Sequence, residues 1–285
     1  PHDWNEDMQC ARLVPGTNLD QQILKSKIIY KTSVEFRAAC EESMKAIVDG
    51  HVTSFNPMDA AASQVFIFNG IFFSGAVDVT DTFKLASGET ACHKYAGHDM
   101  KNQQYVQALG VEGLHTVMQC VMDYKGRRMT AQTVIPGVLS PTGNASRLLA
   151  GAVEPGARLR MKNEAWGLLE DLGKKVNLGE RTIPAMPFAS DEEAAALAKA
   201  AEKARFGMPD MGLDDPPSPI LVDNEDEKVP MDSATIPYVG GVETKLIKGS
   251  DGRTYALELA RISPRDANYA AKSKGGTGNI TEEKF

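Results

Sequence analysis

Apolar positions return at near-helical spacing through the first third of the chain. A short amphipathic stretch spans Leu19 to Tyr30. Thr32-Ser33-Val34-Glu35 then fits a capping box, in which the hydroxyl caps a backbone N–H and the Glu reaches back. After it, Phe36, Ala39, Cys40, Ser43, Met44 and Ile47 keep helical spacing as far as Asp49-Gly50, which predicts a second helix. Val65-Phe66-Ile67-Phe68 is short, aromatic and β-branched and predicts a buried strand. Glu89 to Leu109 predicts another helix, with Gly110 as its stop. The clearest hairpin has arms from Leu114 to Tyr124 and from Arg127 to Ile135 around Lys125-Gly126, ended by Pro136-Gly137. Asn163 to Asn177 predicts a helix with Trp166, Leu169 and Leu172 on one side. A second hairpin follows from Val242 to Lys248, a turn at Gly249-Ser250-Asp251-Gly252, and Arg253 to Leu259. Hairpins interleaved with helices predict an α+β fold of antiparallel β-hairpins packed with several helices.

Composition changes this picture in one place. The chain has 285 residues and a net charge of −7. Ser190-Asp191-Glu192-Glu193 opens an alanine-rich helix to about Arg205, and after it the pattern breaks. Gly207 to Ser233 holds five prolines and eight acids against one base, Lys228, so this window equals the whole charge excess. Acid and proline with few aromatics cannot bury enough surface to order themselves, and 207–233 is expected to be a disordered insert. The body without it is near neutral. Residues 1–266 are expected to form one domain. Residues 267–285, with Lys274-Gly275-Gly276-Thr277-Gly278, are expected to be a flexible tail.

The acidic balance argues against a strongly basic nucleic-acid module but not against a local basic patch. No apolar run reaches the roughly 18 residues a membrane span needs. Even Val65 to Phe73 is broken by Asn69-Gly70. Cys10, Cys40, Cys92 and Cys120 are too widely spaced for a knuckle, and they suit a reducing compartment. The sequons Asn144-Ala145-Ser146 and Asn279-Ile280-Thr281 have nothing around them to suggest secretion. The chain opens with Pro1, and the reading is of a piece of a longer protein.

Candidate chemistry is sparse. Gly151 and Gly156 have the glycine spacing of a phosphate loop. Ala157-Arg158 stands where Lys and Ser or Thr are needed, Glu154 would repel phosphate, and a Gly-Pro turn is the better reading. Cys92, His93 and His98 lie on one helix, but their spacing does not converge on a metal. No nucleophile elbow is present. Glu258, an acid at an apolar strand end, could hold a metal in a kinase-like fold; pairing with Arg261 or plain exposure is the simpler account. A basic face is more informative. Lys125, Arg127 and Arg128 sit at the hairpin tip beside Tyr124, where cations could pair with phosphates and the ring could stack on a base. Arg147, Arg158, Arg160 and Lys162 follow in sequence.

These pieces in this order resemble the CLU domain of the clustered mitochondria protein family. The resembling stretches are Trp4-Asn5-Glu6, Ala46 to Gly50 through Asn56-Pro57, Phe66 to Ser74 with Asn69, and Gly110 to Leu114 with Gly113. They continue through Val121 to Gln132, Ile135-Pro136-Gly137, Gly249 to Tyr255 with Asp251, Gly252 and Arg253, and Leu259-Ala260-Arg261. Departures fall at Leu149-Ala150-Gly151, Gly156-Ala157-Arg158, Glu258 and Ile262-Ser263-Pro264, the places that could have held phosphate or metal. They weaken an enzymatic reading further. The resemblance implies a non-enzymatic cytoplasmic module, without cofactor or metal, of an mRNA-associated regulator of mitochondrial distribution and of the translation of messages for mitochondrial proteins. Its implied partners are mRNA, translation initiation machinery or the ribosome, and mitochondria at their outer surface without membrane insertion. The alternatives are a protein-interaction scaffold without direct RNA contact and a residual nucleotide-binding phosphotransfer fold. Fold analogy alone adds a divergent, inactive relative of two-lobed kinases.

Overall fold

In a computed structural model of the chain, the residues described are 2–79, 81–139, 147–152, 159–184 and 235–263, with 268, 272 and 277. The expected insert at 207–233, the alanine-rich helix before it, Gly156 and nearly all of the expected tail lie outside them.

The fold is α+β. Helices α1 (Trp4–Leu13) and α2 (Leu19–Val48) open the chain. Strands β1 (Val65–Phe68) and β2 (Ile71–Gly75) follow, then α3 (Glu89–Leu109). Strands β3 (Leu114–Thr116), β4 (Gln119–Tyr124), β5 (Arg127–Thr133), β6 (Leu148–Gly151) and β7 (Arg160–Met161) come next. Helix α4 (Asn163–Val176) leads to β8 (Arg181–Pro184), β9 (Thr235–Tyr238), β10 (Lys245–Lys248) and β11 (Thr254–Leu257). One sheet has the order β1-β2-β5-β4 and is antiparallel throughout. A second has the order β3-β11-β10-β6-β7, with β3 and β11 parallel, and β8 pairs with β9 alone. Among the described residues no helix is long and apolar enough to cross a membrane.

Each sheet has its own core. The first sheet buries Ile71, Phe73, Met129 and Ala131 against Phe36, Cys40, Met44 and Ile47 of α2, with Met8 of α1. The second buries Leu149, Leu246 and Ala256 against Leu169 and Leu172 of α4 and Val106 of α3. Both Leu169 and Leu172 are fully buried, on the side the sequence assigned to them.

Two expectations are corrected. The capping box does not start a helix: Leu19 to Val48 is one continuous helix of 30 residues, capped by the Asn18 side chain, which accepts from the Gln21 amide at 2.9 Å. Ser33 instead donates back to the Ile29 carbonyl at 2.8 Å, a bond available in mid-helix. The arm from Leu114 to Tyr124 is likewise not one strand. Its first part pairs with β11 in the second sheet and its last part with β5 in the first. The chain changes sheet at Val117 and Met118, both buried, Val117 in a small core with Ile135 and Tyr255 and Met118 in the first sheet's core. Two strong apolar anchors hold the crossover, so hydrophobic pattern alone reads it as continuous.

The interruption at Asn69-Gly70 is a tight turn between β1 and β2, with φ of 51° and 74°. Asn-Gly supplies the left-handed backbone that a two-residue hairpin turn requires.

Candidate functional site

The predicted tip stands at the β4–β5 turn, where Tyr124 faces Arg127 across the ladder and Lys125 and Gly126 take positive φ. It is seated on the end of α2. Lys125 Nζ donates to Asp49 Oδ1 at 2.6 Å, and the Tyr124 hydroxyl approaches Asp49 Oδ2 at 3.4 Å. Asp49 is the C-cap residue of α2. The Lys125 ammonium also lies 5.3 Å from the Tyr124 ring centre, and the ring packs on the first sheet's core. Arg128 makes a two-pronged pair with Asp123, both bonds 2.6 Å. The guanidinium holds the Asp123 carboxyl below its usual range, and Lys125 does the same to Asp49. Arg127 is exposed and makes no ion pair among the described residues. The structure thus brings the four predicted residues to one exposed turn, with two of the three cations answered by local carboxylates.

Arg147 lies at another place, its guanidinium reaching the Lys248 carbonyl at 3.5 Å on the second sheet.

Five of the resemblance positions, Asn5, Glu6, Asp251, Arg253 and Tyr255, gather elsewhere, in a polar network joining α1 to β11. Arg253 binds the Glu6 carboxylate with both terminal nitrogens and Asp251 Oδ2 at 3.1 Å. Tyr255, fully buried, donates to Asp251 Oδ2 at 2.6 Å and accepts from Asn5 Nδ2 at 2.8 Å. The Arg253 partner lowers the Glu6 pKa to about 2, and burial beside Asp251 raises that of Tyr255 to about 12. Gln9 continues the chain of bonds from Asn5 to the Thr116 carbonyl, and Arg12 caps Thr116 at its carbonyl and hydroxyl. Burial lowers the Arg12 pKa to about 10. Every member is occupied in holding α1, β3 and β11 together. Gln9, Arg12 and Thr116 carry no local sequence signal, because their partners are about a hundred positions away.

Glu258 does not pair with Arg261. It takes φ 55° and pairs with Lys245 at 2.5 Å across the β10–β11 hairpin, while Arg261 meets Glu243 at 3.3 Å. Gly151 ends β6 at φ 99°; a Cβ there would stand 2.7 Å from the Thr244 carbonyl, so close strand packing explains the glycine. Asn69 accepts from the Trp4 indole at 2.9 Å and donates to Ser43 at 3.1 Å. Gly113, Gly137 and Gly252 occupy connections with positive φ. His93 lies 3.7 Å from Glu89, and among the described residues no three His, Cys, Asp or Glu converge as metal ligands.

Buried polar groups also fix the exit of β11. Asp99 on α3 accepts from the Leu259 amide at 2.6 Å and from Gln119 at 3.0 Å, and burial raises its pKa. Asn102 donates to the carbonyls of Leu259 and Ala260.

Comparison with known proteins sets this arrangement in context. The profile of the family described as clustered mitochondria matches residues 3–269. The chain is 30% identical over 267 residues to the clustered mitochondria protein homologs of Xenopus tropicalis and Homo sapiens, spanning 94% of this chain and 17% of each relative. Identity is also 30% over 267 residues to protein clueless of Drosophila ananassae, across 94% of this chain and 15% of that one. No solved structure matches.

Proposed function

The chain belongs to the clustered mitochondria family, and on that premise we propose that it is a non-enzymatic module of a cytoplasmic, mRNA-associated regulator of mitochondrial distribution. The names of its relatives speak of clustered mitochondria, and the chain spans 15–17% of their length. The part proposed for this module is contact with mRNA. Translation initiation machinery or the ribosome, and the mitochondrial outer surface, are the partners proposed for the protein as a whole.

The hairpin tip carries this reading. Tyr124, Lys125, Arg127 and Arg128 share one exposed turn on a rigid seat, and Arg127 has no competing carboxylate among the described residues. The pairs made by Lys125 and Arg128 are surface pairs, weakened by water and screened by salt, so RNA phosphates can displace Asp49 and Asp123. The pairing of Glu258 with Lys245 and the packing of Gly151 against Thr244 support leaving catalysis out.

The test is binding of single-stranded RNA at a series of salt concentrations, with the chain and with its Lys125→Ala, Arg127→Ala, Arg128→Ala triple variant. Affinity should fall for every sequence tried, and the log–log salt slope should flatten by about 0.7 for each phosphate that is no longer paired. Unchanged affinity in a folded triple variant removes the tip from the reading.

A second reading, a protein-interaction scaffold, has its own observation. The N-terminal part of α2 exposes Leu19, Ile23, Leu24 and Tyr30. RNA affinity absent at low salt, with partner capture that depends on those four side chains, would favour it.

A further inference from the structure

A groove of about 270 Å³ opens beside the hairpin tip, at the end of the first sheet. It runs from Ile47 near the end of α2, past Phe66 and Met129, to His93 on α3, with Gln64 and Arg127 also lining it. Its floor is apolar, since Ile47 and Met129 belong to the first sheet's core and Phe66 packs against it. Its rim carries hydrogen-bonding groups: the Gln64 side-chain oxygen, whose amide nitrogen already donates to the Pro57 and Asp59 carbonyls, and the His93 imidazole beside Glu89. Arg127 is the cation of the tip with no carboxylate partner among the described residues. Pockets that take drug-sized ligands measure roughly 300–1,000 Å³, so this one has room for a single ring system.

We propose that this groove receives one nucleobase, with the adjoining phosphate paired to Arg127. The apolar floor removes the ring faces from water, the rim meets the polar edge of the base, and the guanidinium answers the anion with paired N–H donors. The same nucleoside monophosphate unit could come from single-stranded RNA or from a free nucleotide. The RNA source rests on the function proposed above; the free-nucleotide source does not. For RNA, the inference moves the contact from stacking at Tyr124, whose ring already packs on the core, to a slot on the neighbouring surface.

Adenosine 5′-monophosphate and ribose 5-phosphate are titrated into the chain, followed by amide NMR, and a single-stranded RNA of mixed sequence is titrated in parallel. Adenosine monophosphate should shift the amides of Gly75, Gly126 and Met129 saturably, and ribose 5-phosphate at the same concentration should not. Arg127→Ala should weaken the mononucleotide by about tenfold. Ala62→Trp, which fills the groove from an exposed position on its wall, should abolish its binding. Val77→Glu, at a second exposed position, should do the same by repulsion and serves if the tryptophan disturbs folding. RNA binding that persists unchanged in both groove variants, with no mononucleotide effect, overturns the groove and leaves the proposed function standing. Saturable mononucleotide binding without RNA binding keeps the groove as a nucleotide site and overturns the RNA reading. Binding of neither ligand overturns both.

Discussion

Asn5 and Tyr255 stand 250 positions apart and share a 2.8 Å hydrogen bond inside the protein. The Tyr255 hydroxyl is also the donor to Asp251, so one oxygen joins α1 to the β10–β11 turn. Removing it leaves a buried donor on Asn5 without a partner. Tyr255→Phe should therefore lower unfolding stability by about 1–3 kcal/mol, read as a reduced urea midpoint at unchanged slope. A midpoint within error of the parent would mean that the bond is not made in solution.

Acid should weaken the same joint. Glu6 titrates at about 2 when folded, against an ordinary value of 4.5, because Arg253 holds its charged form. A lowered carboxylate pKa gives stability that is fully present above the ordinary value and is lost as pH falls from about 4.5 towards 2. Glu6→Gln should be less stable than the parent at pH 6, and the gap should close across that window. The Glu6 side chain is 45% exposed, so the gap is expected to be modest. Urea midpoints at half-unit pH steps measure it; a gap that stays constant down to pH 2 assigns the effect to another group.

At the hairpin tip, Asp49 competes with any anion for Lys125. If an RNA phosphate displaces Asp49 from Lys125, Asp49→Ala should raise affinity, because the competing carboxylate is gone while the number of paired phosphates stays the same. This direction is opposite to that expected of the triple variant, so general surface damage cannot produce both. Filter binding at a low and a high salt concentration reads it directly, and an affinity no higher than the parent's argues against Lys125 as an RNA-binding side chain.

Where the chain changes sheet, Met118→Ala should cost about 2–5 kcal/mol, the range for truncating a buried long side chain. Val117 is its neighbour on the same crossover backbone, so although it lies in a different core, losses at the two positions should couple in a double-mutant cycle rather than add. Additivity within about 0.5 kcal/mol would show that the two sheets respond separately.

Much of this architecture was legible where local signals agree with tertiary needs. Glu89 to Leu109 has helical period and a glycine in left-handed conformation just after it, and α3 has those bounds. Leu169 and Leu172 followed from one apolar face. Legibility failed where a local signal has two physical meanings. Thr32-Ser33-Val34-Glu35 has the composition of a helix start, but a serine hydroxyl is also satisfied by the carbonyl one turn back, and Thr32 faces the core. Asn69-Gly70 reads as a break in an apolar run and is the turn that pairs its two halves. The hairpin tip was found because cations beside a turn are visible in sequence. Their carboxylate partners were not, since Asp49 is 76 positions from Lys125. The amides, carboxylates and guanidinia around Thr116, Tyr255 and Leu259 were hidden for the same reason, with partners on another third of the chain.

The bonding of α1 to β11 has a consequence for synthesis. At about 5–20 residues per second, the 250 residues between Asn5 and Tyr255 take on the order of 10–50 s to translate. Through that interval Asn5, Glu6 and Gln9 have emerged while Asp251, Arg253 and Tyr255 do not yet exist. A nascent α1 therefore has the first sheet's core for Met8 and Thr116 for Gln9 and Arg12 well before Asn5 and Glu6 find their partners, and its bonds to β11 are among the last formed in the domain. Until that strand has left the ribosome, Asn5 and Glu6 stay open to water and to whatever holding factor can bond them.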